Sequence, residues 1–278
     1  MPNENAWSVI TAPTSKSLIL GVDFPAAGRR EAGFEDLAAG MGAEWAGHGF
    51  LQTTPPPVRL ADRPSGDYYT DFWLRDGHWD DYEVVAVLGY CVGGVYAGEI
   101  AGRLAERQGT APKVILFDAQ VTDLQLLESE IHKMIGLAGP VFKDEEAADA
   151  KRRAAEIVGR PGIGLLDAAV DIVGLYREMA AVAFGRIGLA DARRDEVVRL
   201  FESYMTWLSA ASQIDPSRSW GDSLAVTSSD YAELERTGAA TVANAVKWLG
   251  RRIELEIGHV DLLRDDSTVR VLRADAGL

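Results

Sequence analysis

Two periods of hydrophobicity divide this chain. Short apolar, β-branched runs predict strands at Ser17–Phe24, Glu83–Leu88, Lys113–Asp118, Ser223–Ser229 and Arg252–Ile257, the last alternating cleanly before Gly258-His259. Helical spacing predicts a helix over 34–45, with Phe34, Leu37, Met41 and Trp45 on one face, and another from Val95 to Arg107. From Ala119 to Trp220 the pattern is helical throughout, broken near Gly139-Pro140, Gly159–Pro161 and Gly188, which fits four helices. An amphipathic helix is expected at Ser267–Arg273, and a short one within Tyr68–Tyr82. Residues 1–16 read as a loose lead-in, and 49–66, rich in proline, as loop or a short edge strand.

Strand–helix alternation, a long helical insertion, then strand–helix–strand–helix predicts the α/β class: a mostly parallel sheet with helices on both faces. The expected organisation is a core of 1–118 and 222–278 interrupted by a helical insertion at 119–221. In such sheets, function gathers at the carboxyl ends of the strands. Phe24, Cys91, Asp118, Asp230 and His259 all fall at or just past those ends.

Composition narrows the function class. With 47% hydrophobic and 25% charged residues, the chain has the make-up of a globular protein. A formal net charge of −14 argues against nucleic-acid partners and against docking on an anionic membrane. The apolar stretch Ile163–Ile187 is interrupted by Asp167, Asp171, Arg177, Glu178 and Arg186, so a buried helix is expected rather than a membrane span. One cysteine forms no internal disulfide, and the first residues lack the features of a signal peptide, so a cytoplasmic location is expected.

That cysteine lies in Gly89-Tyr90-Cys91-Val92-Gly93-Gly94, between a predicted strand and a predicted helix. Strand, tight glycine-flanked turn and helix, with a nucleophilic atom at the tip, form a nucleophile elbow in which Cys replaces the Ser of G-x-S-x-G. A lone cysteine is by default a small buried hydrophobe. At a helix N-terminus beside a base, its thiolate is favoured and it becomes a nucleophile. Of four histidines, His259 follows the last predicted strand and completes the order nucleophile, acid, histidine. His48 and His78 precede the nucleophile in loop-like segments expected to be exposed, and His132 lies in the insertion. The orienting acid is either Asp118 or Asp230, each at a strand end. The other is then a loop acid or a helix N-cap. The oxyanion hole is expected from the backbone N–H of Val92 and one from the loop after the first strand, at Ala26 or Ala27. No cofactor or metal is expected.

These stretches resemble the α/β-hydrolase thioesterases of non-ribosomal peptide and polyketide synthesis. The likeness rests on Phe24-Pro25-Ala26-Ala27-Gly28, the Gly89–Gly94 elbow with its Ala-Gly-Glu-Ile-Ala helix, Val114–Asp118 and Leu224–His259. It implies an α/β-hydrolase fold with the helical insertion as a lid over an acyl channel. It also implies a substrate that arrives as a thioester on the phosphopantetheine arm of an acyl or peptidyl carrier protein, with transfer to a small-molecule acceptor or water. Family members take the acid from the strand after the elbow, matching Asp118, or from the later strand, matching Asp230. The spacing from Cys91 resembles the first kind. The departure is the nucleophile, which is Ser in most of the family. An acyl-Cys is itself a thioester, so passing an acyl group on to another thiol is near-isoenergetic, which favours transfer over hydrolysis. The elbow is also similar to that of dienelactone hydrolases, which have a shorter insertion, so an ester or lactone hydrolase is the alternative. A catalytically silent α/β-hydrolase acting as a binding protein is a third.

Overall fold

A computed structural model describes residues 5–25, 30–45, 47–75 and 78–276. The elements run in the order β1 (Trp7–Thr11), β2 (Ser17–Val22), α1 (Phe34–Met41), β3 (His48–Thr53), α2 (Gly66–Leu74), β4 (Glu83–Tyr90), α3 (Gly93–Gln108) and β5 (Lys113–Phe117). There follow α4 (Leu124–Leu137), α5 (Asp144–Val158), α6 (Leu165–Arg186), α7 (Asp191–Ala211), β6 (Leu224–Thr227), α8 (Ser229–Arg236), α9 (Ala240–Ala245), β7 (Arg251–Glu254) and α10 (Asp266–Val271).

Chain contacts separate two compact units. One holds the sheet, and the other comprises 57–65 and 122–213. These limits differ from the expected 119–221 at both ends. Trp220 belongs to the sheet unit, where its indole N–H donates to the carbonyl of Gly94 at 2.9 Å. Arg63 belongs to the helical unit, where it pairs with Asp167 at 2.8 Å.

The sheet has seven strands in the order β1-β3-β2-β4-β5-β6-β7, parallel except where β1 runs against β3. Alternation along the central strands fills both faces. Ala86, Leu88 and Tyr90 of β4 join Ile115, Phe117 and Val226 in a cluster that includes Phe34, Leu37 and Met41 of α1 and Val269 of α10. The residues between them, Leu116 and Ala225, face Val95 of α3 and Ala245 of α9. A strand buried on both sides reads as a continuous apolar run, which is why β2, β4 and β5 are visible in the sequence.

Two expectations are corrected at one edge of the sheet. The lead-in contains β1, an edge strand with Trp7 buried and Ser8 and Val9 exposed. The proline-rich stretch begins with β3, an interior strand between β1 and β2. Polar residues disguise β3. Gln52 and Thr53 are buried, and the Thr53 hydroxyl donates to the carbonyl of Asp23 at 3.0 Å. The helix expected over 34–45 ends at Met41 and tightens into a 3-10 turn over Gly42–Trp45. The four helices of the insertion are α4 to α7, and their breaks fall at the expected glycines.

Among the described residues, no helix is long and apolar enough to cross a membrane.

Candidate active site

The turn after β4 is built by close approach. A Cβ on Gly89 would lie 2.4 Å from the Cα of Gly94, and one on Gly93 would lie 2.1 Å from the carbonyl oxygen of Val22. Real Cβ contacts do not come that near, so both positions exclude any side chain. Between them Cys91 has φ 51, in the left-handed region that non-glycine residues seldom occupy. Strained backbone of this kind collects at functional sites, where the surrounding structure over-determines it. The Cys91 N–H donates to the Phe117 carbonyl at 2.9 Å, and its own carbonyl accepts from Gly94 at 3.1 Å. Cys91 is partly exposed at the tip, and Val92, buried, is the residue that leads into α3 without a side-chain cap. The helix therefore presents its positive end to the cysteine.

The next strand end has the same device. Asp118 follows β5 with φ 46 and is 1% exposed. Its carboxylate is fully engaged. Oδ1 accepts the Ser228 backbone N–H at 2.7 Å, and Oδ2 accepts the Ser228 hydroxyl at 2.6 Å. Oδ2 also lies 2.7 Å from Nδ1 of His259. A buried carboxylate without such partners would be costly; here the partners also aim it. An anionic oxygen only accepts, so Nδ1 carries hydrogen and Nε2 is the nitrogen available for proton transfer.

Both candidate acids touch His259, at different atoms. Asp118 holds the ring, whereas Asp230, in the first turn of α8, accepts the His259 backbone N–H at 2.7 Å. One carboxylate sets tautomer and orientation; the other fixes the loop that carries the histidine. His259 itself begins a 3-10 turn, His259–Asp261, several residues past the end of β7.

Three residues join the site without a signal in the sequence. Ser228 caps α8 by accepting the Tyr231 N–H at 3.1 Å while donating to Asp118. Its position at a helix start is readable as a cap, but its second role depends on the pairing of β5 with β6. Tyr231 is buried and donates to the Ala119 carbonyl at 2.8 Å. Burial pushes its phenol well above the usual value, with the Asp118 charge adding to the effect, so it stays neutral. Tyr90, 3% exposed, stacks on His259 with ring centroids 4.9 Å apart.

The other candidates lie elsewhere or outside the described residues. Ala26 and Ala27, the expected second oxyanion donors, are outside them. His48, at the start of β3, is half-buried rather than exposed, with Nδ1 2.6 Å from the Ser17 hydroxyl. His78 is exposed, 3.9 Å from Asp81. His132 lies on α4 in the helical unit. Among the described residues no group of three or more His, Cys, Asp or Glu is arranged to hold a metal ion.

Strand order, the elbow after β4, an acid at the end of β5 and a histidine in the loop after β7 define the class: the chain has the α/β-hydrolase fold. Among solved structures, it is similar to the Vlm2 thioesterase domain with genetically encoded 2,3-diaminopropionic acid bound with a dodecadepsipeptide. Against one crystal form the TM-score is 0.51 at 17% identity, and against a second it is 0.52 at 15%, each covering 98% of both chains. At that identity the likeness is one of fold. No protein-family model and no curated protein matches the sequence.

Proposed function

We propose that the chain is a thioesterase-like acyl-transfer enzyme of secondary-metabolite biosynthesis. In this reading it takes an acyl, aminoacyl or peptidyl group from a carrier-protein thioester onto Cys91 and delivers it to an acceptor or water. The observation that carries the reading is a cysteine at positive φ, on a helix N-terminus, beside a strand end whose buried aspartate grips a histidine ring at 2.7 Å. The whole-chain likeness in fold to a thioesterase domain solved with a dodecadepsipeptide supports the substrate class.

The steps follow from the donor set. Cys91 gives its proton to Nε2 of His259, and the thiolate attacks the thioester carbonyl carbon. Asp118 stabilises the imidazolium without taking its proton. The negative oxygen of the tetrahedral adduct is held by the Val92 N–H, with Ala26 the expected second donor. Collapse breaks the bond to the pantetheine sulfur, which leaves with the proton from His259. Acyl-Cys91 then meets a thiol, amine, hydroxyl or water, which His259 deprotonates for the second attack. Because acyl-Cys91 is a thioester, transfer to another thiol is not uphill, as it would be from a serine ester.

The test is intact mass after mixing the protein with an acyl-pantetheine-loaded carrier protein. The wild type should gain the acyl mass and Cys91→Ala should not. Absence of both an adduct and thioester loss overturns the reading. Turnover of a simple ester or lactone much faster than any thioester would replace it with the small-molecule hydrolase.

A further inference from the structure

The site contains a hydroxyl that the proposed steps do not use. Tyr90 precedes the nucleophile, and its oxygen lies 2.9 Å from Nε2 of His259 and 3.0 Å from the His259 carbonyl oxygen. A hydroxyl has one hydrogen. The carbonyl, which also accepts the Leu262 N–H at 3.3 Å, can only accept, so in its hydrogen bond with the phenol the hydroxyl donates and the phenol oxygen turns its lone pairs toward Nε2. Nδ1 already carries hydrogen for Asp118. All three contacts are satisfied together only when Nε2 also carries one, that is, when the ring is an imidazolium. The phenol face works in the same direction, because a cation is attracted to the face of an electron-rich ring; here the rings are stacked 15° from parallel.

We propose that Tyr90 is a positioning residue that selects the thiolate–imidazolium form of the Cys91–His259 pair. The inference rests on the acyl-transfer reading, in that it takes His259 as the base for Cys91. In the selected form the thiol proton has moved to Nε2 and sulfur keeps the electron pair. Among the described residues, the charged side chains bonded to His259 are Asp118 at the end of β5, on Nδ1, and Asp230 from α8, on the backbone N–H. Tyr231 donates to the Ala119 carbonyl and stays neutral, chiefly through burial. Asp118 also favours the cation, but it is spent on Nδ1; Tyr90 addresses the nitrogen that exchanges the proton.

The experiment is the rate of iodoacetamide alkylation against pH, read by intact mass, where the single cysteine makes the adduct unambiguous. It is run on the wild type, Tyr90→Phe, His259→Ala and the double variant. Phenylalanine keeps the stacked face and removes only the hydroxyl. Tyr90→Phe should shift the alkylation midpoint upward and slow the rate at pH 7 about tenfold, the scale of a hydrogen bond to a charged group. In the His259→Ala background the same change should have no effect. An unchanged midpoint in Tyr90→Phe overturns the inference, as does a faster rate, which would make the hydroxyl a blocker of Nε2. A wild-type midpoint at the ordinary thiol value of about 8.5 instead shows that the Cys–His reading has failed, and the inference falls with it. The wild type supplies a second arm that needs no variant. The ¹⁵N shifts of the His259 ring should show both nitrogens protonated wherever Cys91 alkylates fast, and a bare Nε2 there overturns the proposal.

Discussion

The carboxylate of Asp118 is buried and takes hydrogen bonds from Ser228 N, Ser228 Oγ and His259 Nδ1. Several carboxylates of α5 to α7 instead meet arginines at the surface, although Glu202 of α7 is buried. Arg152 reaches Asp149 and Glu156, Arg153 reaches Glu178, and Arg193 reaches Glu196, all with substantial exposure. The apolar positions differ in the same way. The sheet unit packs Phe34, Phe50 and Phe117 edge to face and has glycines where no Cβ fits. In the helical unit, α5 buries only Ala150 and Ala154, α6 has alanines along much of its buried face, and Leu137, Val182 and Ile187 are exposed. One region specifies positions by steric and polar necessity. The other packs Tyr176 on Phe201 between α6 and α7, but over α5 and the outer faces it specifies mainly helices of suitable length and face, so substitutions there should have smaller effects.

The largest separation lies inside the sheet unit, between two aspartates that touch the same histidine. In Asp118→Asn, the amide nitrogen must face either Nδ1–H or the Ser228 donors, so one donor is left opposite another donor. Where the nitrogen faces Nδ1 the ring loses its tautomer, and acyl transfer should fall by about 10⁴-fold, the loss seen when a triad aspartate is amidated. In Asp230→Asn, the amide oxygen still accepts the His259 N–H, so the rate should fall by about tenfold or less, the scale of one neutral hydrogen bond. Single-turnover acylation of Cys91 measures both. Equal, small losses would remove Asp118 from the orienting role.

What the sequence disclosed follows the same division. Gly89, Cys91 and Gly93 were legible because a tight turn admits few residue types and displays them in a short motif. β2, β4 and β5 were legible because burial on both faces leaves a continuous apolar run. Asp118 and Asp230 were found together and not ranked by the residues alone, since both end strands. Their different atoms on His259 depend on a loop conformation that no local pattern encodes. β3 was obscured by the polar Gln52 and Thr53, whose partners are brought by the fold. Tyr90 and Ser228 stayed silent because one occupies a variable position of the elbow motif, and the other is an ordinary helix cap whose second partner lies across the sheet.

A second test addresses steric necessity. Gly93 is not at positive φ, so Gly93→Ala isolates the collision of a Cβ with the Val22 carbonyl, 2.1 Å away. That carbonyl belongs to β2, which is paired on both sides, so it has little room to retreat. Gly93→Ala should cost roughly 3 kcal/mol or more by urea unfolding, at the upper end of overpacking substitutions. Gly102→Ala, in the same helix with nothing within 4 Å of its Cβ, should leave stability equal or higher. If Gly93→Ala were as mild as Gly102→Ala, the elbow would be looser than its contacts imply.

The smallest effect is expected in the helical unit. Arg153 of α5 meets Glu178 of α6 at 2.7 Å, with side chains 40% and 66% exposed. Water screens such a pair, and ordering two long side chains offsets much of the attraction. Arg153→Ala should therefore change stability by less than about 1 kcal/mol, and by less still in high salt. Urea unfolding at low and high ionic strength reads this directly. A loss comparable to that of Gly93→Ala, or one insensitive to salt, would mean that the helical unit is held at specific points as the sheet unit is. The contrast between the two regions would then reduce to one of exposure alone.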